Sequence, residues 1–120
     1  MTAAVKRKVL IVDDNEMASE LLGEFLELSG HTPRIAHSGK AALDAAREAL
    51  PDVFIVDIVL PDMDGYALAA ALRQEAAVPL KIIALSGLPK AMRGGDHSLF
   101  DAWLEKPADL DSLESLLSTI

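Results

Sequence analysis

Four apolar runs in this chain stop at groups capable of polar chemistry. Val9-Leu10-Ile11-Val12 runs into Asp13-Asp14, Val53-Phe54-Ile55-Val56 into Asp57, Ile82-Ile83-Ala84-Leu85 into Ser86-Gly87, and Ala102-Trp103-Leu104 leads to Lys106-Pro107. If these runs are parallel strands, their carboxyl ends share one edge of a sheet, and three acids, a hydroxyl and an ammonium meet there. Carboxylates gathered so closely repel one another unless a cation sits among them, and hard oxygen ligands with open water positions suit Mg2+. A carboxylate beside Mg2+, a hydroxyl and an ammonium can attack phosphorus, because the cations neutralise charge on the transferring phosphoryl oxygens. The product is an aspartyl phosphate. Asp57 is central, with Asp13 and Asp14 on one side and Ser86 and Lys106 on the other, so it is the expected phosphoacceptor.

The elements that must position these groups are legible in the hydrophobic pattern. Short apolar runs rich in Val and Ile, alternating with helical stretches, indicate an α/β fold with a parallel sheet covered on both faces. Strands are expected near 8–12, 32–36, 52–57, 80–85 and 101–105; Pro33 suits the second to a sheet edge. Met17, Leu21, Leu22, Phe25 and Leu28 recur at helical spacing, as do Ala41, Leu43, Ala45, Ala46 and Leu50 less regularly. Ser38 and Asp64 stand at N-cap positions, and a last helix over about 109–118 carries Leu110, Leu113, Leu116 and Leu117. Between the fourth and fifth strands, Leu88 to His97 contains Gly94-Gly95, which predicts a short or irregular helix. Right-handed crossovers allow the doubly wound, flavodoxin-like order 2-1-3-4-5. That order sets strands 1 and 3 side by side, about 5 Å apart, at the switch point where such folds bind ligands.

The 120 residues predict one domain, 1–120, with its output residing in another molecule or module. No apolar stretch approaches the roughly 20 residues that cross a bilayer, and the first residues lack the apolar segment of a signal peptide, which predicts a cytoplasmic protein with no membrane contact. Cysteine is absent, so disulfides, thiolate metal sites and cysteine nucleophiles are excluded. A net charge of -8 disfavours direct nucleic-acid binding and fits a protein that gathers a divalent cation.

Each group also has a plainer reading. Asp13 and Asp14 could cap the following helix, Ser86 could be a turn residue, Lys106 a solvated lysine and Trp103 simple packing. Three histidines, His31, His37 and His97, are dispersed and carry no assigned role. Ser38-Gly39-Lys40 has the look of the end of a phosphate-binding loop, but Arg34 stands where the first glycine belongs, so nucleotide binding there is rejected.

Taken together and in order, Val9 to Asn15, Asp57-Ile58-Val59-Leu60-Pro61-Asp62-Met63-Asp64-Gly65, Ile83 to Gly87 and Lys106-Pro107 make the chain similar to the receiver domain of two-component response regulators over essentially its whole length. The resemblance implies that Asp57 accepts phosphate from a phosphohistidine on a histidine kinase or histidine phosphotransfer protein. It further implies that Asp13 and Asp14 hold Mg2+ with Asp57 and the backbone carbonyl of Val59, that Ser86 hydrogen-bonds the phosphate, and that Lys106 pairs with it. By the same resemblance Trp103 occupies the switch position whose aromatic side chain changes rotamer, and Lys106-Pro107 is a cis peptide. Trp103 replaces the usual Tyr or Phe, and Leu99 stands where a glycine is common. The expected role is a phosphorylatable switch that is not an enzyme beyond its own phosphorylation and dephosphorylation; the downstream target and homodimer formation are left open. Two rivals are a haloacid-dehalogenase-like Mg2+ phosphotransferase with Asp13 as nucleophile, and a pseudo-receiver that only binds partners. Asn15 stands where the first usually has Asp, and the complete set of acids, hydroxyl and lysine argues against the second.

Overall fold

The computed structural model describes residues 6–87, 97–106 and 109–119. Five strands, β1 (Lys8–Val12), β2 (Thr32–Ala36), β3 (Val53–Asp57), β4 (Lys81–Ser86) and β5 (Ala102–Glu105), form one parallel sheet in the order β2-β1-β3-β4-β5. Among the described residues four helices connect or follow them: α1 (Glu16–Leu28), α2 (Gly39–Glu48), α3 (Gly65–Glu75) and α4 (Leu110–Thr119). A 3-10 turn at His97–Leu99 precedes β5. The segment 88–96, where the sequence predicts an irregular helix, and Pro107, where the resemblance implies a cis peptide, lie outside the described residues.

The strands are apolar throughout because both faces of the sheet are covered. Leu10, Val12, Phe54, Val56, Ile82 and Ala84 point to one side and pack with Ala42 of α2 and Leu68, Ala69 and Leu72 of α3. The intervening residues Val9, Ile11, Val53, Ile55, Ile83 and Leu85 point to the other, against Leu22 and Leu26 of α1 and Leu113 and Leu117 of α4. All five residues of β3, the central strand, are buried; burial of a side chain the size of Phe54 or Ile55 contributes about 1.5–3 kcal/mol. Pro33 sits on edge strand β2, where its missing N–H breaks no ladder.

The helical faces differ from the expectation in two places. On α1 the buried stripe is Ser19, Leu22, Gly23 and Leu26, while Met17, Leu21 and Leu28 are exposed at 74%, 61% and 90%. Gly23 faces Ile35 and Ile11 on this buried stripe, with room there for a methyl group at ordinary contact distance. Helix α2 ends at Glu48, so Leu50, which the spacing places in the helix, lies beyond it and is exposed; Pro51 disfavours helical backbone at the residue before it.

Polar side chains tie the layers together at the ends. The Arg73 guanidinium donates to the carbonyls of Leu99 and Leu80 and to Asp101, whose carboxylate also accepts the Ile82 N–H at 2.8 Å. At the opposite end of the sheet from the acidic cluster, buried His31 accepts the Arg7 N–H at Nδ1, and its Nε2–H faces the Glu114 carboxylate at 3.2 Å. Arg7 Nε donates to the Leu117 carbonyl, joining the first strand's approach to the last helix.

Candidate functional site

Strand order brings the expected groups to one edge. Val12 pairs with Val56 across β1 and β3, so Asp13 and Asp57 both stand one step past that pair. Asp57 pairs with Leu85, placing Ser86 one residue further along β4, and Ser86 pairs with Glu105, the residue before Lys106. The Lys106 N–H donates to the Ser86 carbonyl at 2.7 Å, which prolongs the β4–β5 ladder to the lysine itself.

The carboxylates of Asp13, Asp14 and Asp57 each offer an oxygen within 4.8 Å of the others. Asp13 and Asp57 are buried and Asp14 is exposed. Lys106 Nζ donates to Asp57 Oδ2 at 2.7 Å and lies 3.4 Å from Asp13 Oδ2, a much weaker contact. The second oxygen of Asp57 accepts the Val59 N–H at 3.0 Å, and that of Asp13 accepts the Asn15 N–H at 3.0 Å. Lys106 therefore reaches two of the three acids, Asp57 closely and Asp13 weakly. Burial raises the pKa of Asp57, outweighing the Lys106 ammonium and the Val59 N–H that favour its ionised form; the neighbouring Asp13 adds to the rise. Burial also works against the Lys106 ammonium, but the Asp57 and Asp13 carboxylates outweigh it and raise its pKa.

This donor set fits Mg2+. Octahedral Mg2+ holds oxygens at about 2.1 Å, so opposite ligands lie about 4.2 Å apart, close to the spread of the three carboxylates. All donors are hard oxygens, and the exposed Asp14 leaves the site open to water.

The plainer role of the paired acids is taken by a neighbour. Asn15 is the N-cap of α1, accepting the Ala18 N–H through its side chain, so neither Asp13 nor Asp14 caps that helix. Ser38 and Asp64 cap α2 and α3 as expected. Val59 is 64% exposed and bridges to Asp64 across the β3–α3 loop. Trp103 is half-buried, packed with Phe100 edge-on at 5.8 Å between ring centroids and with Tyr66 at 6.3 Å. It thus sits on the α2–α3 side of the sheet, apart from the acids.

Two further residues, to which the sequence assigns no role of their own, help to hold the site. His37, exposed, donates from Nδ1 to the Asp13 carbonyl at 3.0 Å. Asp62 accepts the N–H groups of Gly39 and Lys40 at 2.8 and 3.0 Å. The turn that resembles a phosphate-binding loop therefore binds an anion belonging to the chain itself. Beside the acids, an apolar-walled pocket of about 540 Å3 opens between Ala18, Leu21 and Leu22 of α1, Lys106 and Leu110.

A doubly wound sheet with three acids and a lysine at its switch point defines a class, and the comparisons give the family. Residues 9–118 match the model of the response regulator receiver domain, and the chain belongs to that family. It is 36% identical over 115 residues to the sensor histidine kinase AtsR of Burkholderia thailandensis, covering 92% of this chain and 19% of that protein. It is 32% identical to the polar-differentiation response regulator DivK of Brucella ovis, covering 84% of this chain and 85% of DivK. Among solved structures, a CheY-like receiver domain from Methylobacillus flagellatus is 38% identical with a TM-score of 0.83, over 94% of this chain and 97% of that one. The chain thus spans about a fifth of the kinase and most of DivK. Receiver domains are phosphorylatable switches of two-component signalling that meet histidine kinases or phosphotransfer proteins, and membership disfavours both rival readings. Among the described residues no helix is long and apolar enough to cross a membrane.

Proposed function

We propose that Asp57 is the phosphoacceptor of this receiver and that the domain, residues 1–120, works in the cytoplasm as a relay or reporter of a histidine kinase, with no catalysis beyond its own phosphorylation and dephosphorylation. The observation that carries the reading is the placement of Asp57: central, buried, hydrogen-bonded to Lys106 at 2.7 Å and within reach of two further acids. Asp13, Asp14 and Asp57, with the Val59 carbonyl, would hold Mg2+, which supplies positive charge to the phosphoryl oxygens when bound. An Asp57 oxygen forms a bond to phosphorus as the P–N bond of the donor phosphohistidine breaks, and the electron pair of that bond stays on the imidazole nitrogen. Lys106 then pairs with a phosphoryl oxygen, and Ser86, at the end of the neighbouring strand, donates its hydroxyl to another.

The donor needs a surface beside the acids. Exposed Met17 and Leu21 on α1, with Leu110, supply one next to the pocket that opens at Asp13 and Lys106. Mass spectrometry after treatment with acetyl phosphate and Mg2+ tests the assignment. Wild type gains one phosphate and Asp57→Asn gains none while keeping its fold; a stable phosphate on Asp57→Asn moves the acceptor to another acid.

A further inference from the structure

We propose that Asp62 is a positioning residue for the metal site, fixing the loop that carries Val59 by docking it onto the first turn of α2. The inference rests on the reading of Asp13, Asp14, Asp57 and the Val59 carbonyl as the Mg2+ ligands.

The loop from 58 to 64 is short and tied at both ends. At its start the Ile58 N–H bonds the Leu85 carbonyl and the Val59 N–H bonds Asp57; at its end Gly65 N–H bonds the Ile58 carbonyl at 2.7 Å. Within the loop Val59 bridges Asp64, which closes the loop on itself without tying it to a neighbouring helix. Val59 is 64% exposed, so side-chain packing does not fix its peptide, and Leu60, though buried, supplies only non-directional apolar contact.

Asp62 provides the directional tie. Its two oxygens take the N–H groups of Gly39 and Lys40, one each, while Ser38 takes the Ala41 N–H. Three of the four N–H groups that a helix start leaves without intrahelical partners are thereby satisfied, two of them from a different segment. The charge is favourable too, since a carboxylate at a helix N-terminus meets the positive end of the helix dipole. Those two N–H groups hold the Asp62 pKa below its ordinary value. Next to it, Met63 lies flat on Gly39: a Cβ there would fall 2.5 Å from Met63 Cγ and Sδ. The absence of a side chain at Gly39 leaves the space that Met63 fills, and an added Cβ would force that side chain to move. Partners that orient a ligand without touching the metal typically set its affinity by a factor of ten or more.

The test is an Mg2+ titration of wild type, Asp62→Ala, Asp62→Asn, Gly39→Ala and Ser38→Ala. It is followed by the shift in Tm and by the backbone amide resonance of Val59. Asp62→Ala is expected to raise the half-saturating Mg2+ concentration about tenfold, with Asp62→Asn intermediate because one acceptor oxygen remains. Gly39→Ala should raise it as well without any change of charge. Ser38→Ala removes a cap from the same helix without touching the loop, and should lower Tm while leaving the titration at its wild-type midpoint. The proposal is overturned if Asp62→Ala lowers Tm but titrates as wild type, or if Ser38→Ala weakens Mg2+ equally. It is also overturned if Asp62→Asn matches Asp62→Ala while Gly39→Ala is unaffected, the signature of lost charge alone. Should Asp62→Ala fail to fold, Asp62→Asn and Gly39→Ala decide by the same criterion. A wild type that shows no response to Mg2+ overturns both the ligand assignment and this proposal, whereas a normal wild-type titration with unchanged variants overturns the proposal only.

Discussion

Asp14→Ala separates the cost of gathering charge from the benefit of binding metal. Asp14 is exposed and does not cap α1, so the change removes little besides a carboxylate within 4.8 Å of two others. At that separation each pair repels by about 0.9 kcal/mol at the dielectric of water and about 3.5 kcal/mol at an effective value of 20. An exposed group sits near the lower figure, and the Lys106 ammonium offsets part of it, leaving a gain of about 1 kcal/mol for the metal-free variant. With unfolding entropy near 2.1 cal/mol/K per residue, that gain raises Tm by about 4 °C. Mg2+ acts in the opposite sense on the comparison. At 100 times its dissociation constant it stabilises wild type by about 2.7 kcal/mol, or about 10 °C, and the variant by little. Scanning calorimetry with EDTA and with saturating Mg2+ reads both effects. A variant that keeps the full Mg2+ shift refutes Asp14 as a ligand, and one that melts below wild type in EDTA refutes the repulsion argument.

The remaining expectations can be taken together. Trp103 is the only tryptophan, so its emission should change when beryllofluoride and Mg2+ bind and stay constant in Asp57→Asn; unchanged emission with binding shown by another method makes the indole a fixed packing residue beside Tyr66 and Phe100. Gly65→Ala puts a Cβ 2.8 Å from the Asp57 carbonyl oxygen and Ile58 Cα, which are backbone and cannot yield cheaply, so denaturant titration should show a loss of about 1–3 kcal/mol. Gly23→Ala meets only ordinary contacts at 3.5 Å and beyond, and should gain up to about 1 kcal/mol in the same assay. The pKa values of Asp62, bonded by the Gly39 and Lys40 N–H groups, of Asp109, bonded by Ser112, and of Glu75, bonded by Arg47, are all lowered in the fold. Their contribution to stability is present above the unfolded values near pH 4 and is lost as pH falls through the lower folded ones; melting curves from pH 7 to 3 should drop more gently in Asp62→Asn.

The sheet was readable because a strand covered on both faces has no polar positions: the runs ending at Val12, Val56 and Leu85 mark strand and terminus together. The acids were readable for the same reason, since a charge closing such a run must sit at a sheet edge. Helix faces were harder. Large apolar residues at 17, 21 and 28 outweigh Ser19 and Gly23 in any hydrophobic count, yet the small pair lies on the buried face. Asp62 was invisible in this sense because its partners lie 22 and 23 residues away in sequence and are backbone groups, which carry no residue-type signal. His31 likewise meets Glu114 across 83 residues, and nothing in either segment names the other.

The bonds from Arg7 to Leu117 and from His31 to Glu114 bear on how the domain forms during synthesis. Leu113 and Leu117 are fully buried against Val9, Ile11 and Ile83, so one face of the sheet lacks half its cover until Leu117 has left the ribosome. The opposite face, covered by α2, α3 and Phe100, can close earlier. A nascent chain therefore carries an open apolar flank through much of its translation, and closing it requires joining segments 110 residues apart. A ribosome-bound chain arrested before Leu113 should bind a chaperone that recognises extended apolar surface, and release it once α4 is exposed from the tunnel.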